Sequence, residues 1–235
     1  MGKKQNIVIV MTDQQRADMC SREGYPLDLT PFLDKMAKGG SWFNRAYTSA
    51  PLCAPARSSL LTGRFPSAVR VRTNHNIEDA LFAQDLVGIL KERGYTTALC
   101  GKNHSYLAPD RVDHWFELDH TGGSTENRSK QEKAFDCYLE SLHHRAAMQP
   151  TPFPIECQCA YRAVTDAQRW IGTVKGKPFF LWLSFPEPHN PYQVPDPYFS
   201  LFQEDSLPPP RVGAKALTEK GFKWQFTHEL GLQGF

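Results

Sequence analysis

Three apolar segments, each followed at once by polar side chains, constrain how this chain can fold more than any other feature. The segments are Asn6–Met11, Tyr95–Cys100 and Pro178–Phe185. All three read as buried strands, and helix-like segments lie between them. Strands that alternate with helices favour an α/β layered sheet, in which the first segment is expected as a central parallel strand.

The polar side chains that follow these strands predict a single site. They are Asp13 and Gln14 after the first strand, Lys102 and His104 after the second, and His189 after the third. In open α/β sheets, ligands bind beyond the carboxyl ends of the strands. We therefore expect these side chains to converge on one active site.

The helical segments have recognisable ends. Thr30 and Pro31 are suited to the N-cap and first position of a helix whose apolar face is Phe32, Leu33 and Met36. Further helices are predicted at 53–62, Asp85–Arg93 and Ala160–Val174, and a short strand at Ser41–Phe43. Residues 108–154 are polar and irregular, with a helix expected around Gln131–Ala147.

Composition limits the function classes. The 235 residues are 22% charged and 40% hydrophobic, with a formal net charge of +2. No broad basic field suggests nucleic acid as a partner, and no apolar run approaches the roughly 20 residues that cross a bilayer. Lys3 and Lys4 precede an apolar run that lacks a cleavage site, so the chain as written is expected in the cytoplasm, or in the periplasm or medium if a leader was removed.

The six cysteines are expected as free, mostly buried thiols. They stand at positions 20, 53, 100, 137, 157 and 159. A chain of this size needs no disulfide framework, and Cys157-Gln-Cys159 lacks the spacing of zinc or thioredoxin motifs.

Cys53 stands at the start of a helix that contains Pro55, with Arg57 one turn further on. A helix N-terminus suits an anion and would lower the pKa of a thiol there. The alternative is a buried structural cysteine near a helix cap. Spacing alone leaves both interpretations open.

Four motifs carry a family resemblance. Residues 53–63, CAPARSSLLTG, resemble the sulfatase signature C-x-P-[SA]-R, and residues 94–104, GYTTALCGKNH, are similar to G-Y-x-T-x-x-x-G-K-x-H. Residues 9–16 resemble the family's metal-binding first strand, and residues 188–192 its H-x-P-Y loop. The chain therefore resembles the type I, formylglycine-dependent sulfatases of the alkaline phosphatase-like superfamily.

The resemblance implies a fold and a reaction. The fold would be an alkaline phosphatase-like layered mixed sheet flanked by helices. A formylglycine-generating or sulfatase-maturing enzyme would oxidise Cys53, and one hydroxyl of the hydrated aldehyde would attack the sulfur of a small-molecule or saccharide sulfate ester. The second hydroxyl would then lose its proton, so that sulfate is eliminated.

The resemblance also implies a role for each catalytic residue. Cys53, as formylglycine, is the expected nucleophile, and Arg57 is expected to hold and polarise the diol. Lys102 would bind sulfate and offset developing charge, and His104 would act as the base in elimination. His189 would contact sulfate or protonate the leaving oxygen.

The implied cofactor is a divalent metal, with Ca²⁺ expected first and Mg²⁺ or Mn²⁺ as alternatives. Its ligands here would be Asp13, Gln14 and the modified residue at Cys53. Many relatives carry a second Asp where this chain has Gln14. The amide oxygen of Gln14 is suited to a hard cation, or else satisfies a loop N–H.

The family's remaining metal-ligand loop and C-terminal subdomain do not occur in residues 1–235. The chain is thus expected to be the N-terminal portion of a sulfatase catalytic domain, truncated before that subdomain. Two alternatives to the sulfatase interpretation remain open. One is a phosphonate or phosphodiester hydrolase of the same superfamily, and the other is an inactive truncated fragment that only binds anions.

Other polar residues carry weaker signals. Asn74, His75 and Asn76 either line a substrate pocket or form an exposed loop, and His143 to Arg145 read as a solvated helix face. His114 and His120 have no partner that the sequence identifies.

Overall fold

The order of strands and helices follows the predicted alternation. A computed structural model describes residues 4–123, 127–209, 214–217 and 220–232. Its strands are β1 (Ile7–Met11), β2 (Thr96–Gly101), β3 (His114–Asp119), β4 (Gly122–Gly123) and β5 (Phe179–Ser184). Its α-helices are α1 (Pro31–Gly39), α2 (Cys53–Thr62), α3 (Pro66–Val69), α4 (Leu86–Glu92), α5 (Lys130–Ser141), α6 (Cys159–Thr173) and α7 (Phe222–Leu232). None of these described helices is both long and apolar enough to cross a bilayer.

The strands form one mixed sheet in the order β1-β5-β2-β3-β4. The strands β1, β5, β2 and β3 run parallel to one another, and β4 pairs antiparallel with β3. The predicted class, a layered mixed α/β sheet flanked by helices, is confirmed. Because β5 lies between β1 and β2 and all three run parallel, the carboxyl ends of the three predicted strands are neighbours on the same side of the sheet.

Helices cover the sheet from both sides. Leu61 of α2 and Leu90 of α4 pack on the face that carries Phe180 and Trp182. On the other face, Trp170 of α6 packs against Cys100 of β2 and Leu181 of β5. Helix α5 extends this layer of helices toward β3. Burial on both faces explains why β5 is apolar at almost every position.

The prediction that β1 is a buried central strand is wrong. β1 lies at the end of the strand order, and only Ile7, Ile9 and Met11 pack against the core. Val8 and Val10 on its other face are 47% and 57% exposed. Within the described residues, β1 is covered on one face only. A run of five apolar residues does not reveal whether one face of a strand or both faces will be covered.

Four local predictions also need correction. The irregular segment contains the unpredicted strand β3, and its helix ends at Ser141 rather than near Ala147. Ser41–Phe43 is not a strand, and the apolar face of α1 is largely exposed. All six cysteines are free, as expected.

Candidate active site

Backbone hydrogen bonds hold the ends of β1, β2 and β5 together. The Lys102 N–H donates to the Ser184 carbonyl (2.7 Å), and the Phe185 N–H donates to the Met11 carbonyl (2.7 Å). The Asp13 N–H reaches the carbonyl of Glu187 in the loop after β5 (3.1 Å). The residues that follow these strands are therefore fixed close to one another, as predicted.

Gly101 is required where β2 approaches β5. Its φ is +106°, and a Cβ at this position would overlap the carbonyl oxygen of Ser184. A glycine here lets the backbone of Lys102 contact β5 directly.

A buried ionic cluster occupies the end of the sheet. Oδ2 of Asp13 accepts from Nζ of Lys102 (2.7 Å) and from Nη2 of Arg57 (3.1 Å). Nη1 of Arg57 also donates to the Lys102 carbonyl and to Oγ of Ser184, both at 2.7 Å. Asp13, Arg57 and Lys102 are 7%, 2% and 1% exposed. Each side chain is thus held in one position before any ligand arrives.

The cluster carries more positive than negative charge. Burial opposes the ionisation of Asp13, but Lys102 and then Arg57 outweigh it, so the pKa of Asp13 lies below its ordinary value. One carboxylate therefore faces two buried cations. The excess positive charge suits a bound anion in a site of low dielectric constant.

Cys53 lies directly against this cluster. It is the first residue of α2, and its Sγ lies 3.5 Å from Oδ1 of Asp13 and 3.9 Å from Nζ of Lys102. The prediction of a lowered thiol pKa is wrong, because burial, aided by Asp13, raises the pKa of Cys53 despite Lys102. The unmodified thiol is therefore kept protonated and is a poor nucleophile.

Asn74 belongs to the start of α2. Its side-chain oxygen accepts from the Ala54 N–H (3.0 Å), which satisfies one of the unpaired donors at the helix N-terminus. Asn76 instead supports its own turn, accepting from the N–H groups of Arg72 and Thr73. His75 is exposed. Asn74 therefore lies beside the site, whereas His75 and Asn76 belong to the loop.

His104 is close enough to the cluster to respond to its charge. It is half-buried, with its backbone at φ +41°. Burial, followed by the charges of Lys102 and Arg57, lowers the pKa of His104. The neutral ring that results near pH 7 can accept a proton.

His189 stacks within a group of three imidazoles. The ring of His120 lies 4.7 Å from that of His189 and 5.0 Å from that of His144. Asn190 donates to the His144 carbonyl (2.7 Å), so the loops that carry His144 and His189 are joined. The prediction that His144 lies on a helix is wrong, because α5 ends at Ser141 and the chain turns toward His189, but residues 143–145 are exposed as expected.

His120 is the site residue that sequence reasoning missed. Burial lowers its pKa to about 4, and the positive charge of Lys102 acts in the same direction. His120 directly follows β3, which the sequence did not reveal as a strand. Had β3 been recognised, the rule that places ligands at strand ends would have selected His120 as well.

An open cavity of about 790 Å³ lies over Cys53. Asp13, Gln14, Cys53 and Arg57 contribute to its floor, and aromatic and aliphatic side chains contribute to its wall. Those wall residues include Tyr47, Leu52, Leu60 and Phe65. The cavity can hold a ligand larger than an inorganic anion, with a charged end directed at Arg57.

The residues present fit part of a divalent-metal shell. Oδ2 of Asp13 is engaged by two cations, whereas Oδ1 faces Cys53. Gln14 is exposed beside Asp13 and lines the same cavity, in a left-handed backbone conformation (φ +62°). One carboxylate oxygen and one amide oxygen are suitable for a hard cation, but a calcium ion takes about six to eight oxygens.

Fold and site together define an α/β protein with a buried cluster of excess positive charge at the strand ends. The sequence model of the Sulfatase family matches residues 5–209, and the chain belongs to this family. It is 29% identical to an arylsulfatase of Clostridium perfringens and 30% identical to a choline-sulfatase of Rhizobium meliloti, over 89% and 92% of its length.

The chain spans about half the length of these relatives, 48% and 44% respectively. Among solved structures, it resembles the phosphonate monoester hydrolase of Agrobacterium radiobacter with a TM-score of 0.71 and 21% identity. That match covers 90% of this chain and 46% of the hydrolase, and it shows a shared fold.

Proposed function

We propose that the protein hydrolyses an organic sulfate ester through a formylglycine made from Cys53. The observation that carries this proposal is the contact between Cys53 and the buried Asp13–Arg57–Lys102 cluster at the start of α2. A protonated thiol is poorly suited to direct attack, whereas its oxidised form, once hydrated, would present a hydroxyl to the sulfur. The family signature at residues 53–57 supports the same modification.

Each residue of the site has a proposed task. Arg57 orients the hydroxyls at position 53 from its fixed place between Asp13 and Ser184. Lys102 binds a sulfate oxygen and balances the charge that develops as the ester bond breaks. His104, neutral because of its lowered pKa, takes the proton in the elimination step.

His189 is proposed to act at the leaving oxygen. Its Nδ1 faces the carbonyl of Asn190 (2.5 Å), and because a carbonyl only accepts, Nδ1 carries a proton. Nε2 is then the nitrogen that exchanges a proton with the ester oxygen. His120 packs against one face of this ring and holds its orientation.

A divalent metal, Ca²⁺ or alternatively Mg²⁺ or Mn²⁺, is proposed to be held by Asp13, Gln14 and the oxidised residue 53. When bound, it would supply positive charge that activates the hydroxyl group. The donors found here among the described residues fill only part of a shell, so further ligands from the whole protein are proposed to complete it. Activity is accordingly proposed for the whole protein, of which this chain would be the N-terminal portion.

The proposed partners follow from this chemistry. A formylglycine-generating or sulfatase-maturing enzyme must act on Cys53 before the protein is active. The substrate would be a small-molecule or saccharide sulfate ester, with the organic group against the apolar wall of the cavity. An arylsulfatase and a choline-sulfatase among the relatives support the ester class without selecting the alcohol.

A phosphonate or phosphodiester hydrolase is the second candidate. Arg57 and Lys102 would attract either a sulfate or a phosphonate oxygen, and Gln14 replaces an expected carboxylate. The test is turnover of an aryl sulfate and of matched aryl phosphonate and phosphodiester substrates by the full-length protein, co-expressed with a maturation enzyme. We expect the sulfate to give the highest kcat/KM, and a preference for a phosphorus ester would overturn the sulfatase proposal.

Two control proteins accompany this comparison. Cys53→Ser retains a single hydroxyl and is expected to lose turnover of every ester. The 235-residue chain alone is expected to bind anions with little turnover, and full turnover by it would contradict the incomplete metal shell.

A further inference from the structure

A second group of possible metal ligands lies on the sheet face opposite α2. Cys100 of β2, His114 of β3 and Asp166 of α6 each direct one ligand atom to a common point, and these atoms lie within 4.8 Å of one another. Cys100 and Asp166 are buried, and His114 is partly buried. Within the residues that the structure describes, no other three His, Cys, Asp or Glu side chains meet so closely.

The spacing of the three atoms is close to that around a zinc ion. Bond lengths of about 2.3 Å to sulfur and 2.0–2.2 Å to nitrogen or oxygen place two tetrahedral ligands roughly 3.3–3.6 Å apart. Sγ of Cys100 lies 3.6 Å from Oδ2 of Asp166, which satisfies this condition. Nε2 of His114 lies 2.5 Å from the same oxygen and would move away by about 1 Å when an ion enters between them.

Neighbouring side chains already orient the ligands. Nη1 of Arg169 lies 3.1 Å from Oδ1 of Asp166, so the other carboxylate oxygen is the one turned toward Cys100 and His114. The His114 ring stacks on Trp170, with centroids 5.9 Å apart and an interplanar angle of 18°. Outer contacts of this kind are what fix ligands in metal sites.

The group is accessible from solvent. A cavity of about 430 Å³ opens beside it, and Asp166, Thr165, Arg169 and Phe116 contribute to its lining. An ion could enter there, and a water molecule could occupy a fourth position.

We propose that Cys100, His114 and Asp166 bind one zinc ion that links β2, β3 and α6. A thiolate with an imidazole favours zinc over calcium, which prefers oxygen ligands. Binding releases the thiol proton of Cys100 to solvent, and His114 binds through an unprotonated Nε2, because ligand atoms must be deprotonated. The ion has a structural role on the sheet face opposite α2, and it does not depend on the proposed function.

Cobalt substitution tests this site directly. The full-length protein is prepared with Cys53→Ser and Cys137→Ser, which remove the active-site thiol and the exposed thiol, and is titrated with Co²⁺ after treatment with a chelator. We expect a thiolate-to-cobalt charge-transfer absorption that saturates at one equivalent. The further substitution Cys100→Ser should abolish it, whereas Cys157→Ser, a buried thiol of another core cluster, should leave it unchanged.

Absence of the band in the parent protein, or its persistence after Cys100→Ser, overturns the proposal. A second measurement avoids variants that fail to fold. Zinc added to the chelator-treated parent should raise Tm, and the rise should shrink with His114→Gln or Asp166→Asn. An unchanged Tm in the parent contradicts the site, in which case the three residues form only a hydrogen-bonded group.

Discussion

Lys102 has the largest expected effect among the residues of the site, because it is buried and touches both Asp13 and Cys53. Lys102→Ala is predicted to lower kcat/KM for an aryl sulfate by about 10²–10³-fold, the range found when one buried electrostatic donor is removed. Lys102→Arg should recover little, because Lys102 is 1% exposed and the larger guanidinium would have to fit beside Arg57 on the same carboxylate oxygen. Steady-state kinetics of the full-length protein measure both.

Lys91→Ala is the matched control for this change. Lys91 is partly exposed and pairs with Asp113, remote from Cys53. Its removal should alter kcat/KM less than twofold, within the small effects of exposed ion pairs. A loss below tenfold in folded Lys102→Ala protein would show that Lys102 does not bear the charge assigned to it.

His120 predicts a pH dependence of stability. Its folded pKa of about 4 lies below the ordinary 6.5, so the unfolded chain binds more protons between these values. The contribution of neutral His120 to the free energy of unfolding is therefore complete above pH 6.5 and is lost as the pH falls toward 4. His120→Gln should therefore lose less unfolding free energy across this window than the wild type does.

Denaturant titrations at several pH values measure the difference. His75→Gln, on an exposed loop, serves as the control and should follow the wild type. If His120→Gln and wild type lose the same free energy between pH 6.5 and 4, then His120 titrates normally in the folded protein.

At the scale of secondary structure, Asp136 joins three elements. From α5 it accepts from Nη1 of Arg162 in α6 (2.8 Å), Nη1 of Arg128 (2.6 Å) and the Gly123 N–H of β4 (3.2 Å). Asp136 is 4% exposed. Asp136→Ala is predicted to lower the free energy of unfolding by about 3–5 kcal/mol, because it leaves the buried Arg162 without this partner.

Glu140→Gln, on the exposed side of α5, is the corresponding control and should change the unfolding free energy by less than about 0.5 kcal/mol. Equilibrium unfolding in urea gives both values. Equal effects of the two substitutions would mean that the Asp136 contacts add nothing beyond the general packing of α5.

The elements differ in how far the sequence predicts them. β5 is recognisable because both of its faces are buried, and α2 because Pro55 and Gly63 mark its two ends. β3 was missed because its residues are polar and aromatic and only partly buried, so the strand has no clear alternation. The position of β1 at the end of the strand order and the exposure of Val8 and Val10 depend on which other elements lie beside it, and its own five residues do not encode this.

For the molecule as a whole, the rule that sites form at the carboxyl ends of parallel strands predicted which strand-end residues meet. It did not predict the pKa values of the site residues. Asp13 and Lys102 come together as expected, because parallel strands align their carboxyl ends, whereas Cys53 reaches them from the start of α2. The raised pKa of Cys53 was not predictable, since it arises from burial and from Asp13, 40 positions earlier in the chain. The neighbours of His189 likewise depend on where α5 ends.

The most direct measurement follows the oxidation state of residue 53 alongside turnover. Preparations of the full-length protein made with different amounts of maturation enzyme are digested, and the residue-53 peptide is weighed by mass spectrometry. Conversion to formylglycine lowers the peptide mass by about 18 Da relative to the thiol, and sulfatase turnover per chain should rise in proportion to the converted fraction. Full turnover in a preparation whose peptide retains the thiol would contradict the mechanism.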